Sequence, residues 1–174
     1  LRNASKIIKL CGDDLYTLNS EIKKLCAYAD CGEITEDIIE AVVTKNLETN
    51  VFMLSNAVVK KDYEKAFRSL DLLFYQREEP VVILAVLSSV FVDMYRVRVS
   101  IESGKEPSEL AKYFDYRNKL FKLKNAQRDS NNISTENIKK CLDILIDTDI
   151  KLKSTRADKR IVMEELISKL VLVL

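Results

Sequence analysis

Residues 81–103 read VVILAVLSSVFVDMYRVRVSIES, and what this stretch becomes decides the fold. It follows Pro80 and reaches Gly104 without a turn signal. The opening Val81, Val82 and Ile83 is β-branched and would suit a strand. More than twenty residues is too long for one, though, and no other segment offers a partner. The stretch is therefore predicted to be a central helix, apolar on almost every side and packed all round. Its most apolar part, 81–92, is too short to span a bilayer and contains Ser88 and Ser89.

Working outward, the punctuation is sparse. Gly12, Gly32 and Gly104 each follow a periodic segment, where a left-handed helix C-cap favours glycine. Pro80 and Pro107 each open one. Between Gly12 and Gly32, the spacing of Leu15, Leu18, Ile22, Leu25, Cys26 and Ala29 predicts one apolar stripe on a helix. Thr35, followed by Glu36 and Asp37, starts a short helix through Val43. A helix is predicted over 51–61, and Asp62 caps the next, which carries Ala66, Phe67, Leu70, Leu73 and Phe74. A short helix begins near Pro107, and a basic one covers roughly 117–128. Ser134 caps a long helix through about Lys153, and Asp158 opens the last, with Ile161, Leu166 and Leu170. No segment repeats at a fixed period, which argues against a solenoid.

Composition agrees with helices. Gly (3) and Pro (2) are scarce, and 47% of the residues are hydrophobic, enough for a core and too many for disorder. The 28 Lys and Arg nearly balance the 27 Asp and Glu, so any charge-driven binding must come from a local patch. The chain shows no signal peptide and reads as cytosolic. Leu1 is no initiator, so it also reads as a piece of something longer.

Catalytic chemistry finds little support. There is no His, the commonest general base and metal ligand. Cys11, Cys26, Cys31 and Cys141 form no CxxC pair, and their use suits a reducing compartment. Cys26 and Cys31 read as small, half-buried helix residues rather than a redox pair. Asp13–Asp14 and Glu78–Glu79 are adjacent in sequence and cannot face each other across a substrate on one helix, so they read as capping or solvated groups. No glycine-rich phosphate loop or nucleophile motif is present. The expected inventory is therefore no catalytic residue, no cofactor site and no metal site.

One stretch carries a binding hypothesis. Residues 113–124 read YFDYRNKLFKLK, mixing aromatics with cations that could stack bases and meet phosphates. Tyr116, Arg117, Lys119, Lys122 and Lys124 are the candidates to border DNA. The alternative is an amphipathic helix with Leu120, Phe121 and Leu123 buried and the cations solvated.

The order of segments resembles the C-terminal half of the delta subunit of the bacterial DNA polymerase III clamp loader, over essentially the whole chain. The resemblance rests on Cys11-Gly12-Asp13-Asp14-Leu15, on Asn19-Ser20-Glu21-Ile22-Lys23-Lys24-Leu25 and on Gly32-Glu33-Ile34-Thr35-Glu36-Asp37-Ile38. Val51-Phe52-Met53-Leu54, Glu78-Glu79-Pro80 and Asp149-Ile150-Lys151-Leu152-Lys153-Ser154 continue it. It implies an all-α chain: residues 1–46 the end of an AAA+-like helical lid, and 47–174 a helical collar through which subunits associate. It also implies a non-catalytic component of the DNA polymerase holoenzyme, a nucleotidyltransferase assembly whose chemistry these residues do not supply. The implied partners are tau/gamma and delta-prime type subunits through the collar, the sliding clamp through an N-terminal domain outside this chain, and primed DNA in the assembled complex. No membrane is implied. Relatives that hydrolyse ATP carry a lid arginine three residues after a glycine; the corresponding position after Gly12 is Leu15, which cannot stabilise phosphate charge. A delta-prime-like subunit and an unrelated helical adaptor are the competing expectations.

Overall fold

The computed structural model describes residues 2–30, 32–116 and 120–174. Among these residues all regular structure is helical, as expected. The α-helices are α1 (Arg2–Cys11), α2 (Leu15–Ala29), α3 (Glu36–Val42), α4 (Leu47–Val59), α5 (Tyr63–Tyr75), α6 (Pro80–Glu102), α7 (Leu120–Ser130), α8 (Thr135–Ser154) and α9 (Lys159–Val173). A 3-10 helix, Pro107–Lys112, lies between α6 and α7. The chain divides into two compact units, Leu1–Asn50 and Val51–Leu174, with the division inside α4.

Local chemistry sets the helix starts. Thr35, Asp62, Ser134 and Asp158 each accept a hydrogen bond from a backbone N–H in the following turn, at 3.4, 3.0, 3.1 and 2.8 Å. Asp14 does the same for α2, from Thr17 N at 2.7 Å, and that bond holds its carboxyl below the usual carboxylate range. Pro80 and Pro107 occupy first-turn positions, where a missing N–H costs nothing. Gly12 ends α1 at φ +91°, as predicted. Gly32 behaves differently. Asp30 supplies the left-handed residue after α2, at φ 41°, while Gly32 lies so close to the Ala29 carbonyl that a Cβ would stand 2.8 Å from its oxygen. Glycine is needed there for close approach, not for handedness.

The first unit packs α1, α2 and α3 around Ile7, Leu10, Cys11, Leu25, Ile39 and Val43. The predicted stripe on α2 is only in part the buried face. Leu18, Glu21 and Leu25 turn inward, whereas Leu15, Ile22 and Cys26 are exposed. The reason is Glu21, which accepts from Thr44 N at 3.1 Å and pairs with Lys24 at 2.7 Å. A carboxylate with those partners occupies a core-facing position at little cost. Cys26 is thus exposed rather than half-buried, and Cys31 lies outside the described residues.

The second unit is built on α6, against which the 3-10 helix, α7, α8 and α9 all pack. Its Ile83, Leu84, Leu87, Phe91, Met94 and Val97 are at most 1% exposed. At 23 residues α6 is long and apolar enough to cross a membrane by length and composition, longer than the run considered from sequence. It is not packed all round: Val82, Val99 and Ile101 stay exposed. On α8 and α9, which both pack against α6, Ile138, Cys141, Leu145, Met163, Leu166 and Leu170 are likewise buried. Burial pushes the Cys141 thiol up to about 12.

Ion pairs tie the outer helices. Glu165 of α9 bridges Lys151 of α8 and Lys169 at 2.8 Å, and the two ammonium groups hold its carboxyl at about 2. Arg160 joins Asp71 of α5 and Glu164 of α9, with its guanidinium 5.6 Å from the Phe74 ring centre.

Because Leu87 lies on the buried face of α6 with no exposure, replacing it with Ala is expected to cost about 2–5 kcal/mol. Urea unfolding followed by far-UV dichroism reads this. A loss under 1 kcal/mol would mean that α6 is not the core helix.

Candidate nucleic-acid interface

The stretch 113–124 begins after the 3-10 helix and runs into α7. α6 holds its first part in place. Asp93, a buried carboxylate on α6, accepts a hydrogen bond from the Tyr116 hydroxyl. One turn further, Arg96 Nη1 donates to the same hydroxyl at 3.1 Å and lies 3.5 Å from Asp93 Oδ1. The Arg96 guanidinium also sits 3.8 Å from the centre of the Phe114 ring. Phe114 in turn meets Tyr116 edge to face, 6.4 Å apart at 78°. Each group thus has at least two partners, and the buried carboxylate is both paired and hydrogen-bonded, as burial requires.

This arrangement reassigns Tyr116. The residue is 4% exposed, so its ring offers no face to a base. Its part is to anchor the loop to α6, and the stacking role read from the sequence does not fit it. Burial, followed by the hydrogen bond to Asp93, raises its phenol above the ordinary 10.0. Arg117 and Lys119 lie outside the described residues.

On α7, Leu123 and Ala126 are buried while Lys124 is exposed and Lys122 half-buried. Leu120 and Phe121 were expected inside on the amphipathic reading; they are 52% and 56% exposed. Tyr113 is 71% exposed. The rings most open to solvent are therefore Tyr113 and Phe121, with Phe114 less so, none of them among the DNA-bordering candidates read from the sequence, beside the cations Lys122 and Lys124. Nothing local distinguishes Phe121 from Leu123, since the helix phase that separates them is set by contact with α6. The chemistry on offer is mixed: ammonium groups for phosphate and aromatic faces for bases.

The other position singled out, Leu15, is the first residue of α2, directly after the Asp14 cap, and is 82% exposed. It presents an apolar side chain where the helix start would favour an anion.

The family described as DNA polymerase III delta subunit, C-terminal domain, matches residues 48–170, well over half of the chain. DNA polymerase III subunit delta of Bacillus subtilis (strain 168) is 27% identical over 162 residues, 92% of this chain and 46% of that protein. A probable DNA polymerase III subunit delta of Aquifex aeolicus (strain VF5) is 31% identical over 122 residues, 68% of this chain and 34% of that protein. The solved structure of the Bacillus subtilis DNA clamp loader delta protein superposes with a TM-score of 0.78 at 26% identity, covering 97% of this chain and 50% of its own. The chain spans half or less of the length of these relatives.

Tyr116→Phe removes one donor from the buried Asp93 carboxylate and is expected to destabilise the chain by about 1–3 kcal/mol. The wild-type tyrosine has a raised folded pKa. Its contribution is present in full below pH 10.0 and is lost as pH rises from there through the folded value. Alkaline denaturation curves of the two proteins should therefore converge above pH 10. Parallel curves would show that the hydroxyl is not held as described.

Proposed function

The chain belongs to the family of the DNA polymerase III delta subunit, C-terminal domain, and from that membership we propose that it is the lid end and collar of a clamp-loader delta subunit. In this reading residues 1–46 close an AAA+-like lid and 47–174 form the collar, which associates with tau/gamma and delta-prime type subunits. The sliding clamp is met by a domain outside this chain, and primed DNA by the assembled loader. The chain itself supplies no catalytic group, and its location is the cytoplasm. The observation that carries the reading is the family match over 48–170, which takes in almost all of the second unit.

The surface of the second unit supports association. Ile146 and Ile150, four residues apart and hence on one face of α8, are 58% and 59% exposed. Ile161 and Leu172 of α9 are 61% and 76% exposed. Branched aliphatic groups left in water at helical spacing suit an interface that a neighbouring subunit dries. Leu15 supports the non-hydrolysing role, since an exposed leucine at the start of α2 brings no charge to a nucleotide phosphate.

Two outcomes test this. A tagged form of the chain should retain tau/gamma and delta-prime type subunits in a pull-down. The double change Ile146→Asp and Ile150→Asp should weaken that association at least tenfold, about 1.4 kcal/mol, while helical content is unchanged. Retention of neither subunit by the wild type would sink the assignment. Calorimetry should show no micromolar binding of ATP, and a clear micromolar isotherm would remove the delta reading.

A further inference from the structure

A cleft in the second unit lies away from α6 and belongs to none of the features above. It opens between the end of α4 with the turn into α5 and the end of α7 with the turn into α8. Its volume is about 680 Å3, within the roughly 300–1,000 Å3 that holds a small ligand, and it is open on one side. Four cationic side chains line it, Lys60, Lys61, Lys65 and Arg128, against one side-chain carboxylate, Asp129.

That carboxylate is already committed. Arg128 grips it with Nε to Oδ1 at 2.8 Å and Nη2 to Oδ2 at 3.2 Å, and also reaches Asn56 Oδ1 at 3.4 Å. Three lysines remain. All three are exposed, and none makes an ion pair among the described residues. The nearest acids in sequence are engaged elsewhere: Asp62 spends its side chain on the N–H of Lys65 as the α5 cap, and Glu64 pairs with Arg68. Lys65 lies in the first turn of α5, whose free N–H groups add to the positive potential at that rim. The floor is apolar: Phe52, Met53 and Val59, with the Phe52 ring 5.8 Å from the Arg128 guanidinium.

We propose that this cleft binds the backbone of a single-stranded nucleic acid, Lys60, Lys61 and Lys65 meeting phosphates and the Phe52–Met53–Val59 floor receiving a base. The choice between polyanions follows from the cations. Lysine ammonium is a point charge that meets phosphate at any approach, whereas carboxylates are held best by the fork of an arginine. The one arginine here is taken by Asp129, which disfavours an acidic peptide. An aromatic and aliphatic floor beside unpaired ammonium groups suits strands of any sequence. The inference does not rest on the clamp-loader reading, in which DNA is met by the assembled complex; it would hold for the chain alone.

The test is fluorescence anisotropy of the chain with a labelled oligothymidine at low and raised salt. Binding should weaken as salt rises. Changing Lys60, Lys61 and Lys65 together to Glu should reduce affinity at least tenfold and lower the salt slope by about 2, three phosphates at about 0.7 each. The milder change of all three to Gln should do the same should the Glu form lose helical signal. Reversing Lys139 and Lys153 on α8, outside the cleft, should leave binding within about twofold. Three results would overturn the proposal: no binding at low salt, equal loss from the α8 reversal, or competition by polyglutamate or ATP as strong as by unlabelled oligothymidine at matched charge.

Discussion

The burial of one face of α6 is the constraint on which the second unit depends. Its apolar positions fall at helical spacing from Ile83 to Val97, and four other elements lie against the helix. Burying a side chain of this size contributes about 1.5–3 kcal/mol, so six such positions outweigh any surface ion pair in the chain. Asp93 and Arg96 are placed by the same face. They sit one turn apart, where the 113–116 loop must cross, and fix that loop by satisfying each other and Tyr116. The polar network is thus a by-product of core packing, positioned by hydrophobic contacts that it does not itself make.

Charge tells a similar story of local partition beneath a neutral total. Lys151, Lys153, Lys169, Arg68 and Arg160 each have a carboxylate within reach, most of them one helical turn away. The lysines of the α4–α5 turn do not, because that turn's acid is used as a helix cap. A near-zero net charge therefore says little about where an anion could settle. What matters is whether capping or pairing has consumed the acids nearby.

Helix type and most starting points were legible in the sequence because their causes are local; α4, expected from residue 51, starts instead at Leu47. A Thr, Asp or Ser one residue ahead of a helix carries its own hydrogen-bond acceptor, and four such caps are found where the sequence put them. The faces were harder. On α2, Glu21 displaced the apolar stripe because its partner Thr44 lies 23 residues away. Tyr116 looked like a ligand-facing ring because Asp93 is equally distant in sequence. Phe121 looked buried for want of any information on which side of α7 would meet α6. Side-chain chemistry alone names the groups present; tertiary contact decides which of them solvent sees.

The burial of Cys141 has a practical consequence. Its thiol titrates at about 12, so almost none of it is thiolate at neutral pH, and sulfur reacts as the thiolate. The remaining cysteines, Cys11, Cys26 and Cys31, fall within Leu1–Asn50, and Cys26 is exposed there. A maleimide dye applied to the folded chain thus addresses the first unit and leaves the bundle of the second untouched. The protein arrives with a thiol handle on one of its two units and an unreactive thiol in the other.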